Sequence, residues 1–114
     1  MQAELKQIDS FDVDINNYCP DEDSFRILVT LFIGPKESNS INYFDLTICS
    51  TQYLDKQIYK PEILRHMLVV RKFNLDEIKN EINACIEKCN SNTWEETAQK
   101  LSRYFAWEFE DYQP

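Results

Sequence analysis

Between Phe25 and Ile33 every odd position is apolar (Phe25, Ile27, Val29, Leu31, Ile33), and Leu28 and Phe32 make the even face partly apolar too. A period of two marks a strand, and apolar residues on both faces predict a place in the middle of a sheet. Gly34-Pro35 ends the run, and the polar link KESNSIN leads to Tyr43–Cys49, where Phe44, Leu46 and Ile48 alternate with Tyr43, Asp45 and Thr47. That link predicts an antiparallel hairpin with an extended loop. Upstream, Ala3, Leu5, Phe11, Val13 and Ile15 occupy odd positions, while Glu4, Lys6, Asp12 and Asp14 occupy even ones. The pattern predicts a strand over residues 3–15, broken near Asp9 and Ser10 where Ile8 falls out of phase. Asn16 to Ser24 (NNYCPDEDS) is dense in turn formers and reads as a loop.

The second half turns helical. Thr51 is placed to cap a short helix in which Leu54 and Ile58 share a face, and Pro61 limits its length. Residues 66–73, apolar at Met67, Leu68, Val69 and Val70, predict a further strand. Asn74 with Glu77 has the form of a capping box, and Leu75, Ile78, Ile82, Cys85, Ile86 and Cys89 then share one helical face. Asn90-Ser91-Asn92 interrupts. Thr93 with Glu96 opens another capping box, followed by the stripe Trp94, Ala98, Leu101, Phe105. Past Ala106, aromatics and carboxylates interleave: Trp107-Glu108-Phe109-Glu110-Asp111-Tyr112. Trp107 and Phe109 are expected to pack on the sheet and anchor this tail, with Tyr112 and the flanking acids open to a partner. The expected fold is a single α+β domain over residues 1–114. It is an antiparallel sheet of about four strands, with two C-terminal amphipathic helices and one short helix packed on it.

Composition narrows the function. The chain has 114 residues, 43% of them hydrophobic, which is enough for a core and too apolar for disorder. One glycine in the whole chain argues against a glycine-rich phosphate cradle. A net charge of −8 argues against nucleic acid and anionic membrane as ligands, and favours a basic partner or simple solubility. The N-terminus MQAELKQIDS lacks the apolar core of a signal peptide, and the longest apolar stretch is far short of a span, so a cytoplasmic location is expected.

Catalytic chemistry finds little support. The four cysteines form no CxxC pair, and His66 is the only histidine, so neither a zinc site nor a cofactor is expected. Cys85 and Cys89 read as small buried apolar residues. His66, at the start of an apolar strand and without a nucleophile elbow, reads as structural. Glu108, Glu110 and Asp111 are dense enough to bind a divalent cation, which keeps a carboxylate-based metal-dependent hydrolase open as an alternative. A non-catalytic acidic binding module of some other assembly is a second alternative.

Gly34-Pro35-Lys36 after the long strand, FDLTICST from Phe44 to Thr51, LVVRKFN from Leu68 to Asn74 and TWEE…KLSRYFAWEFEDY from Thr93 to Tyr112 together resemble the immunity protein 8 family. The resemblance covers residues 25–112 and is weakest over the first twenty residues. It implies a small bacterial protein, encoded beside a polymorphic or contact-dependent toxin, that binds and neutralises one cognate toxin domain in the cytosol without catalysis. It carries over no binding residues. Those come from charge: six acids fall in residues 9–23, with no lysine or arginine among them. Asp12, Asp14, Asp21, Glu22 and Asp23, or Glu108, Glu110 and Asp111 with Tyr112, are therefore the expected toxin-binding residues. An acidic inhibitor of this kind suits a nuclease, whose substrate-binding surface is positive.

Overall fold

The computed structural model describes residues 1–109. The elements are β1 (Ala3–Asp9), β2 (Arg26–Pro35), β3 (Asn42–Ser50), α1 (Thr51–Gln57), β4 (Met67–Val70), α2 (Leu75–Cys89), α3 (Trp94–Leu101) and β5 (Ala106–Trp107). The sheet order is β1-β2-β3-β4, and β5 also pairs with β3. This is the expected α+β class, with the long strand β2 central.

The sheet is mixed rather than wholly antiparallel. β1, β2 and β3 pair antiparallel, but β4 runs parallel to β3, from Thr47 opposite Met67 to Ser50 opposite Val70. Parallel neighbours need a crossover of about a dozen residues or more, and residues 51–66, with α1 among them, supply it. Hydrophobic alternation carries no strand direction, so the pattern could not reveal this. β5 adds to the same edge of β3, with Phe44 opposite Trp107 and Asp45 opposite Ala106. β4 and β5 thus divide that edge between them.

One face of the sheet carries the core. Ile27, Val29, Leu31 and Ile33 of β2 and Phe44, Leu46 and Ile48 of β3 are buried together with Ile78, Ile82, Ile86, Ala98 and Leu101 of α2 and α3. Each fully buried aliphatic side chain contributes about 1.5–3 kcal/mol relative to exposure. Cys85 and Cys89 are buried in the same layer. Asn74 Oδ1 accepts from the Glu77 amide (3.0 Å) and Thr93 Oγ1 from the Glu96 amide (3.2 Å), so both expected caps form. The short helix is capped one residue earlier than expected. Ser50 Oγ accepts from the Tyr53 amide and from the Phe25 amide, each at 3.1 Å, joining α1 to the start of β2.

β1 ends at Asp9, short of the expected strand. A bulge between Leu5 and Gln7 resets the register, so that Ile8 turns inward opposite Leu31. Beyond Asp9, Ile15 is buried but Phe11 faces solvent. Gly34 sits where the chain returns: a Cβ there would lie 1.9 Å from the Ser40 carbonyl oxygen, so only glycine fits.

Candidate functional site

The face of β2 and β3 opposite α2 and α3 is open over its middle. By register, Leu28 and Thr47, Thr30 and Asp45, and Phe32 and Tyr43 stand opposite one another on it, while Gln7 and Asp9 of β1 continue the rows beside Phe32 and Thr30. Leu28 is 42% exposed and Tyr43 46%, well above the level of the core. At the far end of the same row Cys49 is buried, its sulfur 3.4 Å from that of Met67, while its register neighbours Arg26 and Val69 stay exposed.

A groove of about 530 Å³ runs along this open face, lined by Asp9, Ser10, Phe11, Leu28, Thr30, Phe32, Tyr43 and Asp45. Phe32 and Tyr43 form a cross-strand aromatic pair, edge to face with centroids 5.1 Å apart. The Thr30 hydroxyl donates to Asp45 Oδ1 at 2.9 Å, and Gln7 Nε2 donates to Asp9 Oδ2 at 3.1 Å. No lysine or arginine is among the lining residues.

Phe11 at the rim is 102% exposed, yet its backbone neighbours are fixed. After β1 ends, Ser10 Oγ donates to the Leu28 carbonyl (2.6 Å) and Asp12 Oδ2 accepts from the Leu28 amide (2.9 Å), while the Asp12 amide donates back to Ser10 Oγ (3.1 Å). Two side chains thereby replace the strand ladder at Leu28, and the residue between them is turned away from the core. An exposed phenylalanine leaves its apolar ring in water without a packing partner, and here that ring sits beside the apolar side chains of Leu28, Phe32 and Tyr43.

The expected site residues separate into three kinds. Asp12 is bound as described, and Asp14 accepts from Asn17 Nδ2 (2.7 Å) and the Asn16 amide (3.3 Å), which shapes the loop. Asp21, Glu22 and Asp23 are exposed, with Glu22 3.9 Å from Lys56 in a surface pair worth little. Beside them Tyr18 is half-buried, its hydroxyl pKa raised by burial and by the Asp21 charge. Glu108 lies against β3: its amide donates to the Tyr43 carbonyl (3.1 Å) and its carboxylate accepts from the Tyr43 amide (3.0 Å). Glu110, Asp111 and Tyr112 fall outside the described residues.

Tail anchoring is visible in the rings. Trp107 stacks on Phe44 at 6.1 Å and 13°, donates Nε1–H to Asn42 Oδ1 (3.2 Å), and meets Phe109 edge-on at 5.7 Å. Phe109 itself stays 48% exposed.

Among the described residues no group of three or more His, Cys, Asp or Glu side chains could hold a metal ion, and no helix is long and apolar enough to cross a membrane. His66 lies before β4 at φ 53°, its Nε2 3.0 Å from the Ser102 carbonyl oxygen, while its own carbonyl accepts from the Thr47 amide (3.0 Å). It ties the end of α3 to the sheet.

Sequence reasoning missed Asp9, Phe11, Leu28, Tyr43 and Asp45 as one surface. The available signal was the apolar even face at Leu28 and Phe32, which reads equally well as a strand buried on both sides.

The family model described as Immunity protein 8 matches residues 3–112. No curated protein and no solved structure matches the chain. The family match runs from the first strand through the groove-bearing sheet to the aromatic tail, and on that span the chain belongs to the immunity protein 8 family.

Proposed function

We propose that the protein neutralises one cognate toxin domain in the cytoplasm by binding it, without catalysis, across the open sheet face and the acids around it. The observation that carries this reading is Phe11, wholly exposed and yet held on both sides by hydrogen bonds to Leu28. With Leu28, Phe32 and Tyr43 it supplies a contiguous apolar and aromatic surface of the kind that marks protein contact sites. The acids supply the surround. Asp12 and the loop bearing Asp21, Glu22 and Asp23 lead into β2 on one side, and Glu108 meets Tyr43 on the other, with Glu110 and Asp111 next in sequence. A net charge of −8 would speed encounter with a basic toxin surface, such as the substrate-binding surface of a nuclease.

The test begins with the reading frame immediately upstream of this gene. Its C-terminal ~100–150 residues, a typical domain length, are expressed in a sensitive host with and without this protein. Growth arrest that the protein relieves, and that a Phe11→Ser variant relieves poorly, is the expected result. Arrest that Phe11→Ser relieves as well as the parent does would move the interface off this face. No arrest, or arrest the protein fails to relieve, would overturn the immunity reading with that neighbour.

A further inference from the structure

The groove has a chemistry of its own, set by one row of the sheet. Asp9, Thr30 and Asp45 lie opposite one another on three adjacent strands and share the open face. With neighbouring strands about 4.8 Å apart, the two aspartates stand roughly 10 Å from each other across Thr30. Each has one carboxylate oxygen engaged, by Gln7 and by Thr30, which leaves further acceptor positions on both. Phe11, Phe32 and Tyr43 supply aromatic walls, and no cation lines the cavity. Two carboxylates among aromatic rings attract a cation twice over, by charge and by the ring quadrupoles.

We propose that this groove seats one arginine side chain of the toxin, its guanidinium over Thr30 between Asp9 and Asp45 and against the aromatic walls. The inference rests on the toxin-binding reading above and names the partner chemistry of that site. Arginine fits better than lysine for geometric reasons. A guanidinium presents donors on opposite edges of a plane, so with hydrogen bonds of about 2.9 Å on each side it spans two carboxylates that a single ammonium cannot reach together. Its flat face also stacks on rings, while an ammonium is more strongly hydrated and resists entering an aromatic groove. Seating it displaces water from Leu28 and the rings, which strengthens the charge contact as the local dielectric falls.

The experiment uses the full chain and the upstream-encoded toxin domain, with Asp9→Asn and Asp45→Asn as the variants. Asparagine keeps the size of the side chain and an oxygen for the Thr30 and Gln7 hydrogen bonds, so unchanged thermal melting is the folding control. Each variant is expected to weaken toxin binding about tenfold or more. One toxin arginine, changed to glutamine, should lose less affinity against Asp45→Asn than against the parent protein. Binding that is unchanged in both variants would overturn the proposal while leaving the immunity reading intact. If the toxin domain does not bind at all, the immunity reading fails separately, and a model ligand decides the groove. Blocked arginine amide, but not its uncharged citrulline counterpart, should shift the amide resonances of Thr30, Phe32, Tyr43 and Asp45. Equal shifts from both, or none from either, would overturn it.

Discussion

Tyr43 and Glu108 hold each other twice: the Glu108 amide donates to the Tyr43 carbonyl at 3.1 Å, and the Tyr43 amide donates to the Glu108 carboxylate at 3.0 Å. The second bond uses the Glu108 side chain where its main-chain carbonyl would otherwise extend the ladder. Glu108 therefore closes the tail onto β3 just past Trp107, and fixes the strand that presents the Tyr43 ring to the groove.

Replacing Glu108 with alanine should cost about 1 kcal/mol, less than the usual worth of a hydrogen bond to a charged group because the site is exposed. Glu108→Gln retains the acceptor and should cost less. Urea unfolding of the two variants checks the order, and an alanine variant as stable as the parent would show that the carboxylate does not hold the tail. The comparison also separates roles, because a loss of toxin binding in Glu108→Gln without loss of stability would assign the charge to the interface.

Ser50 should be the most sensitive small side chain in the sheet. It is fully buried, and its hydroxyl oxygen accepts from both Phe25 and Tyr53 amides while its own amide donates to the Phe25 carbonyl. Ser50→Ala leaves two backbone donors without that acceptor, at a cost of about 2 kcal/mol or more. Ser50→Thr keeps the oxygen but adds a methyl group where the site is already closed. In a chemical denaturation series the alanine variant is expected to lower the midpoint without changing the slope.

Legibility in the sequence followed the physics of each feature. The apolar faces of β2, β3 and α2 and the caps at Asn74 and Thr93 were readable, because periodicity and capping are local. The direction of β4 was not, since parallel and antiparallel strands share one alternation. Nor was the exposure of Phe11. It belongs in phase with an apolar face until Ser10 and Asp12 bind Leu28 from the side, an event between residues sixteen to eighteen positions apart. The acids show the same limit: density marks Asp12, Asp14 and Asp21 alike, but only the fold shows that the first two bind backbone or side-chain donors and that Asp21 is exposed.

The cysteines make a prediction about reactivity and pH. Cys19 is exposed, while Cys49, Cys85 and Cys89 are buried. Burial raises all three buried thiols, and with the neighbouring Cys89 it pushes Cys85 from 9.0 up to about 11. A thiol reagent at neutral pH should therefore label one cysteine quickly in the native protein and the other three only in denaturant. The folded state holds the Cys85 proton more tightly than the unfolded chain does. Its contribution to stability is complete below pH 9 and declines as pH rises from 9 toward 11. A Cys85→Ala variant should show a shallower alkaline loss of stability, although its lower starting value reflects the lost packing.

The exposed acids and the groove should act on different rate constants of toxin binding. Asp21, Glu22 and Asp23 are exposed, and their nearest counter-charge is Lys56 at 3.9 Å from Glu22. Charges in that position steer a basic partner from a distance but gain little on contact, so reversing all three to lysine removes most of the net −8 and should slow association by about tenfold or more. The steep dependence on ionic strength should flatten as well, because the steering field is what salt screens. Dissociation should change little. Phe11→Ser is the converse case: encounter is set by the unchanged field, whereas the contact area lost at the groove rim should raise the dissociation rate. Stopped-flow or surface kinetics across a salt series distinguishes the two. Unchanged association in the triple reversal would remove the 21–23 loop from the steering surface, and unchanged dissociation in Phe11→Ser would remove the groove rim from the contact.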